Sequence, residues 1–190
     1  MEGLELKNDE KQIYLALSSS QQYRQNVLEL IREIQSNGLV TIFISVNQPT
    51  AFLADIFWKN GIDVNRIFFI DAITQYAGGA PKVQPDNCRF VNKPGDLTAM
   101  SIAVTDVLKK HSNQKTVIFL DSVNAMLIYS NSVDFTKFIH FVISKLRILN
   151  VSGIFLAVEK GLDPILMSQF IAFTDQMIEF PEPLPHETSG

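Results

Sequence analysis

Apolar residues along this chain fall into short dense runs, separated by longer stretches in which they recur every three or four positions. Five runs, Ile13–Leu17, Val40–Val46, Arg66–Ile70, Thr116–Leu120 and Gly153–Val158, are rich in β-branched or aromatic residues and do not alternate with polar ones. Such runs predict strands buried on both faces, as in a parallel sheet. A shorter run, Gln176–Phe180, predicts an edge strand.

Helical spacing fills the gaps. Gln22–Asn37 carries Val27, Leu28, Ile31 and Ile34 on one face, and Asn37-Gly38 supplies a stop. Thr50–Asn60 predicts a second helix, ended by Gly61. Asp96 is placed to cap Leu97–Lys110, and Asp134 to cap a long helix reaching about Asn150. Pro164 suits the first turn of a last helix ending at Thr174. Strands alternating with helices predict an α/β fold of three layers, with a mostly parallel central sheet flanked by helices. Residues 12–180 read as a single domain, after an arm at 1–11 and before a Pro-rich tail at 181–190 that is extended or disordered. Tyr76–Pro94, rich in Gly, Pro and Asn, reads as an excursion containing a short strand, Cys88–Val91.

A chain of 190 residues with 46% hydrophobic and 19% charged residues is large enough for one sizeable core. Its formal net charge of -4 and the lack of any Lys/Arg run argue against sequence-independent nucleic-acid binding, which needs a dense basic face. The single cysteine, Cys88, excludes an internal disulfide and fits a reducing, cytoplasmic setting. The charged start MEGLELKNDEK does not read as a signal peptide, and no apolar run reaches the roughly 18 residues of a membrane-spanning helix.

In open α/β sheets ligands bind beyond the carboxyl ends of the strands, so the polar residues there are the candidates. SSSQQYRQ, Ser18–Gln25, stands where a phosphate loop would stand. Laid on G-x-x-x-x-G-K-[ST], Ser18 and Tyr23 replace the glycines, Arg24 the lysine and Gln25 the Mg²⁺-binding hydroxyl. Two readings follow. In one, Ser18, Ser19, Ser20, Arg24 and a helix N-terminus still hold an anion; in the other, the segment is a plain strand-to-helix turn. TVIFLDSVNAM ends a strand on Asp121, either the carboxylate that positions Mg²⁺ or a capping group next to Ser122. Asn47 and Gln48 end the second strand where a water-activating residue would be acidic; a neutral amide is a far weaker base. His111, His140 and His186 show no metal-ligand spacing, and Glu159 and Lys160 read as solvated loop charges.

These segments resemble the RecA-like ATPase superfamily, nearest its archaeal KaiC-like branch. VTIFISVNQ resembles the second strand, which in that family normally ends in a Glu pair; RIFFIDAIT resembles the next; TVIFLDSVNAMLIYSN resembles the Walker B strand and its Asp-Ser. KLRILNVSGIFLAVEK and FTDQMIEF resemble the segments after it, and KPGDLTAMSIAVTDVL is similar to a stretch of uncharacterised archaeal members. The resemblance spans about Gln12 to Phe180. It implies ATP and Mg²⁺ between subunits of a hexamer. The departures fall on the catalytic positions, so the expectation is a pseudo-ATPase without cofactor, acting through protein partners or as a homo-oligomer. The alternative is a nucleotide sensor, with ATP and Mg²⁺ held by Ser18, Ser19, Ser20, Arg24, Asp121 and Ser122. The helix from Asp134 carries more apolar surface than one sheet face needs: Phe141, Ile143 and Ile148 lie beyond the stripe Phe135, Phe138, Ile139, Val142, Leu146 and Leu149. The excess meets either another helix of the chain or a second subunit.

Overall fold

The computed structural model describes residues 6, 11–79 and 86–180. The tail, most of the arm and the middle of the Tyr76–Pro94 excursion lie outside the described residues. Seven strands form one sheet: β1 (Ile13–Ser18), β2 (Val40–Ser45), β3 (Ile67–Asp71), β4 (Cys88–Phe90), β5 (Thr116–Asp121), β6 (Ser152–Val158) and β7 (Gln176–Glu179). Their order is β4-β3-β2-β5-β6-β1-β7. Every pairing is parallel, so the sheet is parallel throughout the described residues rather than mostly so. Among those residues are six α-helices: α1 (Tyr23–Ser36), α2 (Thr50–Lys59), α3 (Leu97–Lys110), α4 (Val123–Tyr129), α5 (Ser132–Leu149) and α6 (Pro164–Phe173).

Two cores flank the sheet. Tyr14, Ala16, Phe43, Phe69, Phe119, Leu156 and Ile178 face α1 and α2, with Leu6 buried in the same layer. Their strand neighbours Leu15, Ile42, Ile44, Ile70, Ile118, Leu120 and Phe155 face α3, α4, α5 and α6. Connections that move toward the β4 edge use the first layer, and those that move toward β7 use the second. One hand of crossover produces that segregation, because twisted strands accept helices readily in one sense only. On the α1–α2 side, parallel register sets Phe43 of β2 beside Phe119 of β5 and Phe69 of β3. Phe43 and Phe119 stack at 5.1 Å, and Phe57 of α2 meets Phe43 edge-on at 5.5 Å. Each such ring pair adds about 0.5–1.5 kcal/mol to simple burial.

Helix starts and stops follow local chemistry. Asp96 accepts from Ala99 N–H at 2.9 Å, as its position predicts, and Gly38 takes φ 75° after α1. Asp134 is not the cap of the long helix. Asn131 is, accepting from Asp134 N–H at 2.9 Å, while Asp134 sits in the first turn, where a negative charge favours the helix dipole. The short α4 falls in a stretch with no helix predicted, since seven residues are too few to show periodicity. In α5, Ile143 is buried and Leu149 exposed, the reverse of the sequence assignment, because α5 packs between α3 and α6 and turns a wider face inward. Phe141 and Ile148 remain exposed.

Phe43 anchors three rings, so Phe43→Ala is expected to cost about 3–5 kcal/mol. For a chain of this length that lowers the melting midpoint by roughly 6–20 °C, read by circular dichroism.

Candidate functional site

Register lines up Asp71, Ser45 and Asp121 as one row across the ends of β3, β2 and β5. All three share the parity of Phe69, Phe43 and Phe119, so they face α1 and α2. Each ties down the chain that follows or crosses it. Asp71 Oδ2 accepts from Thr50 N–H at the start of α2 at 2.8 Å and from the Thr74 hydroxyl at 2.6 Å. Its Oδ1 accepts from Ile73 and Thr74 N–H at 2.9 and 2.8 Å. Ser45 donates to the Gln48 carbonyl at 2.5 Å, holding Asn47 and Gln48 in a tight turn over β2.

Asp121 is buried, and its partner is Tyr23. The phenol comes from the first turn of α1, crosses the end of β6 and donates to Asp121 Oδ1. Burial lifts the Asp121 carboxyl to about 6, against the pull of the Tyr23 hydrogen bond. Burial, then the neighbouring carboxylate, pushes the Tyr23 hydroxyl well above the usual phenol range, so it stays a donor. The next peptide, Asp121–Ser122, is cis, and the Ser122 hydroxyl caps α4 by accepting from Ala125 N–H at 3.2 Å.

The six sequence candidates divide evenly. Ser20, Arg24 and Asp121 line one cavity of about 210 Å³ between the starts of α1 and α2. Asn47, Gln48, Val27, Leu28, Leu53 and Phe57 line it too. Arg24 is exposed and has no ion pair or hydrogen bond among the described residues. The other three turn to local bonds. Ser18 is buried, donates to the Ser19 carbonyl and accepts from Asn26 Nδ2 at 2.8 Å. Ser19 accepts from Gln22 N–H at 3.3 Å, and Ser122 serves α4. Tyr23 and Asn26 are functional neighbours that the motif comparison missed. Tyr23 was legible only as an obstacle at a glycine position, because nothing local says which strand end its hydroxyl meets.

Other candidates settle into structure. Cys88 is buried, 3.7 Å from the Thr50 hydroxyl, and burial pushes its thiol up to about 12, far from a reactive thiolate. His140 meets the Phe173 ring edge-on, and His111 Nδ1 lies 3.1 Å from Gln114. Among the described residues no three His, Cys, Asp or Glu gather as a metal site.

No protein-family model matches this chain, and no curated protein does. Solved structures do. An uncharacterized protein from Pyrococcus horikoshii, solved in complex with an unknown peptide, matches with TM-score 0.71 at 14% identity over 95% of this chain and 81% of that one. A KaiC-like protein from the hyperthermophilic archaeon Pyrococcus horikoshii OT3 matches with TM-score 0.65 at 12% identity over 93% of this chain and 76% of that one. This chain has the RecA/KaiC-like fold: a parallel sheet between two helical layers.

The geometry differs from the Mg-nucleotide site that the sequence resemblance implies. The turn before α1 contains no left-handed residue; among described non-glycines only Asn150 has positive φ. Its backbone is therefore not shaped to wrap a phosphate. The β5 carboxylate is taken up by a phenol of the same chain. Gln25 donates to Glu29 at 2.9 Å on the surface of α1.

Asp121 carries its own test. Its folded pKa lies above the roughly 3.9 of an unfolded Asp, so between about pH 4 and 6 the folded chain holds the extra proton. Its contribution is thus fully present below about pH 4 and is lost as pH rises through about 6, a cost of about 3 kcal/mol at neutral pH. Asp121→Asn is expected to raise stability at pH 7 by about 1–3 kcal/mol and to flatten the slope between about pH 4 and 6. Urea melts across pH measure both.

Proposed function

We propose that this chain is a non-catalytic member of the RecA/KaiC-like group, a degenerate relative of the archaeal ATPases, that acts through protein association. The observation that carries the reading is the Tyr23–Asp121 hydrogen bond. A phenol held on Oδ1 of the β5 carboxylate competes with any cation for that oxygen, and detaching it strands a buried anion without that donor. Asn47 and Gln48 line the same cavity and bring no general base. That a structural neighbour was solved with an unknown peptide supports association as the mode of action.

One observation favours a second reading, a nucleotide-binding sensor without turnover. Arg24 presents a free guanidinium beside Ser20 at the rim of the 210 Å³ cavity, a placement suited to a phosphate group.

Thermal unfolding with excess Mg-ATP, Mg-ADP and Mg-GTP separates the two. Ligand at about 100 times its dissociation constant stabilises by roughly 2.7 kcal/mol, or about 5–11 °C here. The expected result is no shift and no phosphate release. A shift that Arg24→Ala removes establishes the sensor. Mg-dependent hydrolysis abolished by Asp121→Ala overturns both.

A further inference from the structure

The cavity between the starts of α1 and α2 combines both signs of charge with an apolar wall, a combination that association through an outer surface does not require. Val27, Leu28, Leu53, Ile56 and Phe57 supply the wall, and Arg24 and Asp121 the charges. Arg24 is exposed and unpaired among the described residues. Asp121 is only 3% exposed, and Tyr23 answers its Oδ1 alone. Oδ2 has no hydrogen bond among the described residues. Nor is that oxygen sealed off like the unpaired Thr41 hydroxyl in the core: it opens on accessible space, and the space that Asp121 lines is this cavity. A buried acceptor without a donor is costly, so such a group is normally met by water or a ligand.

We propose that this cavity binds a free apolar α-amino acid about the size of leucine, with its ammonium on Asp121 Oδ2, its carboxylate on Arg24 and its side chain against the wall. Size sets the first limit. An apolar cavity of about 150 Å³ holds benzene, so one of about 210 Å³ holds roughly eight to ten non-hydrogen atoms, and a whole nucleotide overfills it. Charge sets the second. Asp121 is mostly ionised at neutral pH, even though burial lifts it to about 6. An ionised carboxylate only accepts, so the group that meets Oδ2 is a donor, and a cationic donor bonds most strongly. A phosphate filling the same space sets an anion against that carboxylate. Arg24 in turn takes an oxyanion, and a carboxylate matches its planar fork with two parallel bonds. Opposite charges on one small ligand beside an aliphatic wall are the pattern of an aliphatic α-amino acid.

Other occupants answer only part of this lining. A simple amine leaves Arg24 to water, and a simple carboxylate leaves Oδ2 bare. A peptide N-terminus brings the ammonium without the carboxylate, and a C-terminus the reverse. Tyr23 stays in place throughout, because its hydroxyl holds Oδ1 and leaves Oδ2 to the ligand. Binding therefore needs no loss of the Tyr23–Asp121 hydrogen bond, and the inference goes beyond the association reading without depending on it. Ser20 and Gln21 before α1 and Asn47 and Gln48 after β2 border the same space, so an occupant ties these two turns together.

Isothermal titration calorimetry of the full chain with L-leucine is expected to show one molecule bound per chain. N-acetyl-L-leucine, which keeps the carboxylate and mimics a peptide C-terminus, binds roughly 10- to 100-fold more weakly, since the buried charge pair is lost. L-leucinamide, which keeps the ammonium and mimics an N-terminus, binds roughly 2- to 5-fold more weakly, since Arg24 is exposed. Asp121→Asn, which stays folded by circular dichroism, weakens L-leucine by roughly 10- to 100-fold. Arg24→Ala, at an exposed position, removes the difference between L-leucine and L-leucinamide. No binding at millimolar L-leucine, binding untouched by Asp121→Asn, or an analogue that binds as tightly as L-leucine overturns the proposal, the last by making the occupant a peptide end. These failures are distinct from failure of the non-catalytic reading. Silence toward L-leucine leaves that reading intact, and Mg-dependent ATP hydrolysis sinks that reading alone.

Discussion

Parallel strands cannot be joined by tight turns. Successive strands of this sheet are therefore linked by chain that leaves at the carboxyl end of one strand and returns at the opposite end of the next. That constraint gathers the carboxyl ends of β1, β2, β3, β5 and β6 along one side, and the polar residues that finish the strands gather with them. Ser18, Ser45, Asp71, Asp121 and Val158 are five strand ends from distant parts of the chain, yet they form a single rim. The rim would be costly if its buried polar groups were left bare. Four are answered by a neighbouring element, Asn26 for Ser18, Thr50 for Asp71, Tyr23 for Asp121 and Asn124 for the Val158 N–H at 2.7 Å, and Ser45 bonds to the Gln48 carbonyl of its own turn.

The rim is closed largely by the chain itself. In open α/β sheets generally, ligands bind beyond such carboxyl ends. Here Ser18, Asp121 and the Val158 N–H meet side chains from α1 and α4, and Asp71 meets the backbone N–H that starts α2. Asp121 shows the cost: a carboxylate buried deeply enough for its pKa to reach about 6 is retained with a phenol as its one side-chain hydrogen-bonding partner among the described residues. α6 leaves Ile165 and Ile171 exposed and β7 leaves Met177 exposed.

Local pattern alone determined a good deal. Dense β-branched runs marked five buried strands and the β7 edge to within a residue or two, because burial on both faces removes polar alternation. Cys88 heads the short strand expected in the excursion. Asp96, Gly38 and Pro164 marked helix ends, because caps and stops are decided within one turn of chain. Asn47, Gln48 and the glycine-free SSSQQYRQ were legible as positions at strand ends, and the cavity that Asn47, Gln48, Ser20 and Arg24 share lies there.

What tertiary structure alone decided are pairings between elements distant in sequence. Nothing near Tyr23 tells that its hydroxyl meets Asp121, 98 residues on, because that depends on α1 crossing the end of β6. Nor does sequence divide SSSQQYRQ into residues that face a cavity and residues that bond locally. Ser20 and Arg24 face it, while Ser18 and Ser19 turn away, and the path of the turn sets the difference. The same holds for α5, where periodicity gave the apolar set but packing between α3 and α6 chose Ile143 over Leu149. Periodicity reports that a face is buried; only the arrangement of neighbours reports how wide that face is and what lies against it.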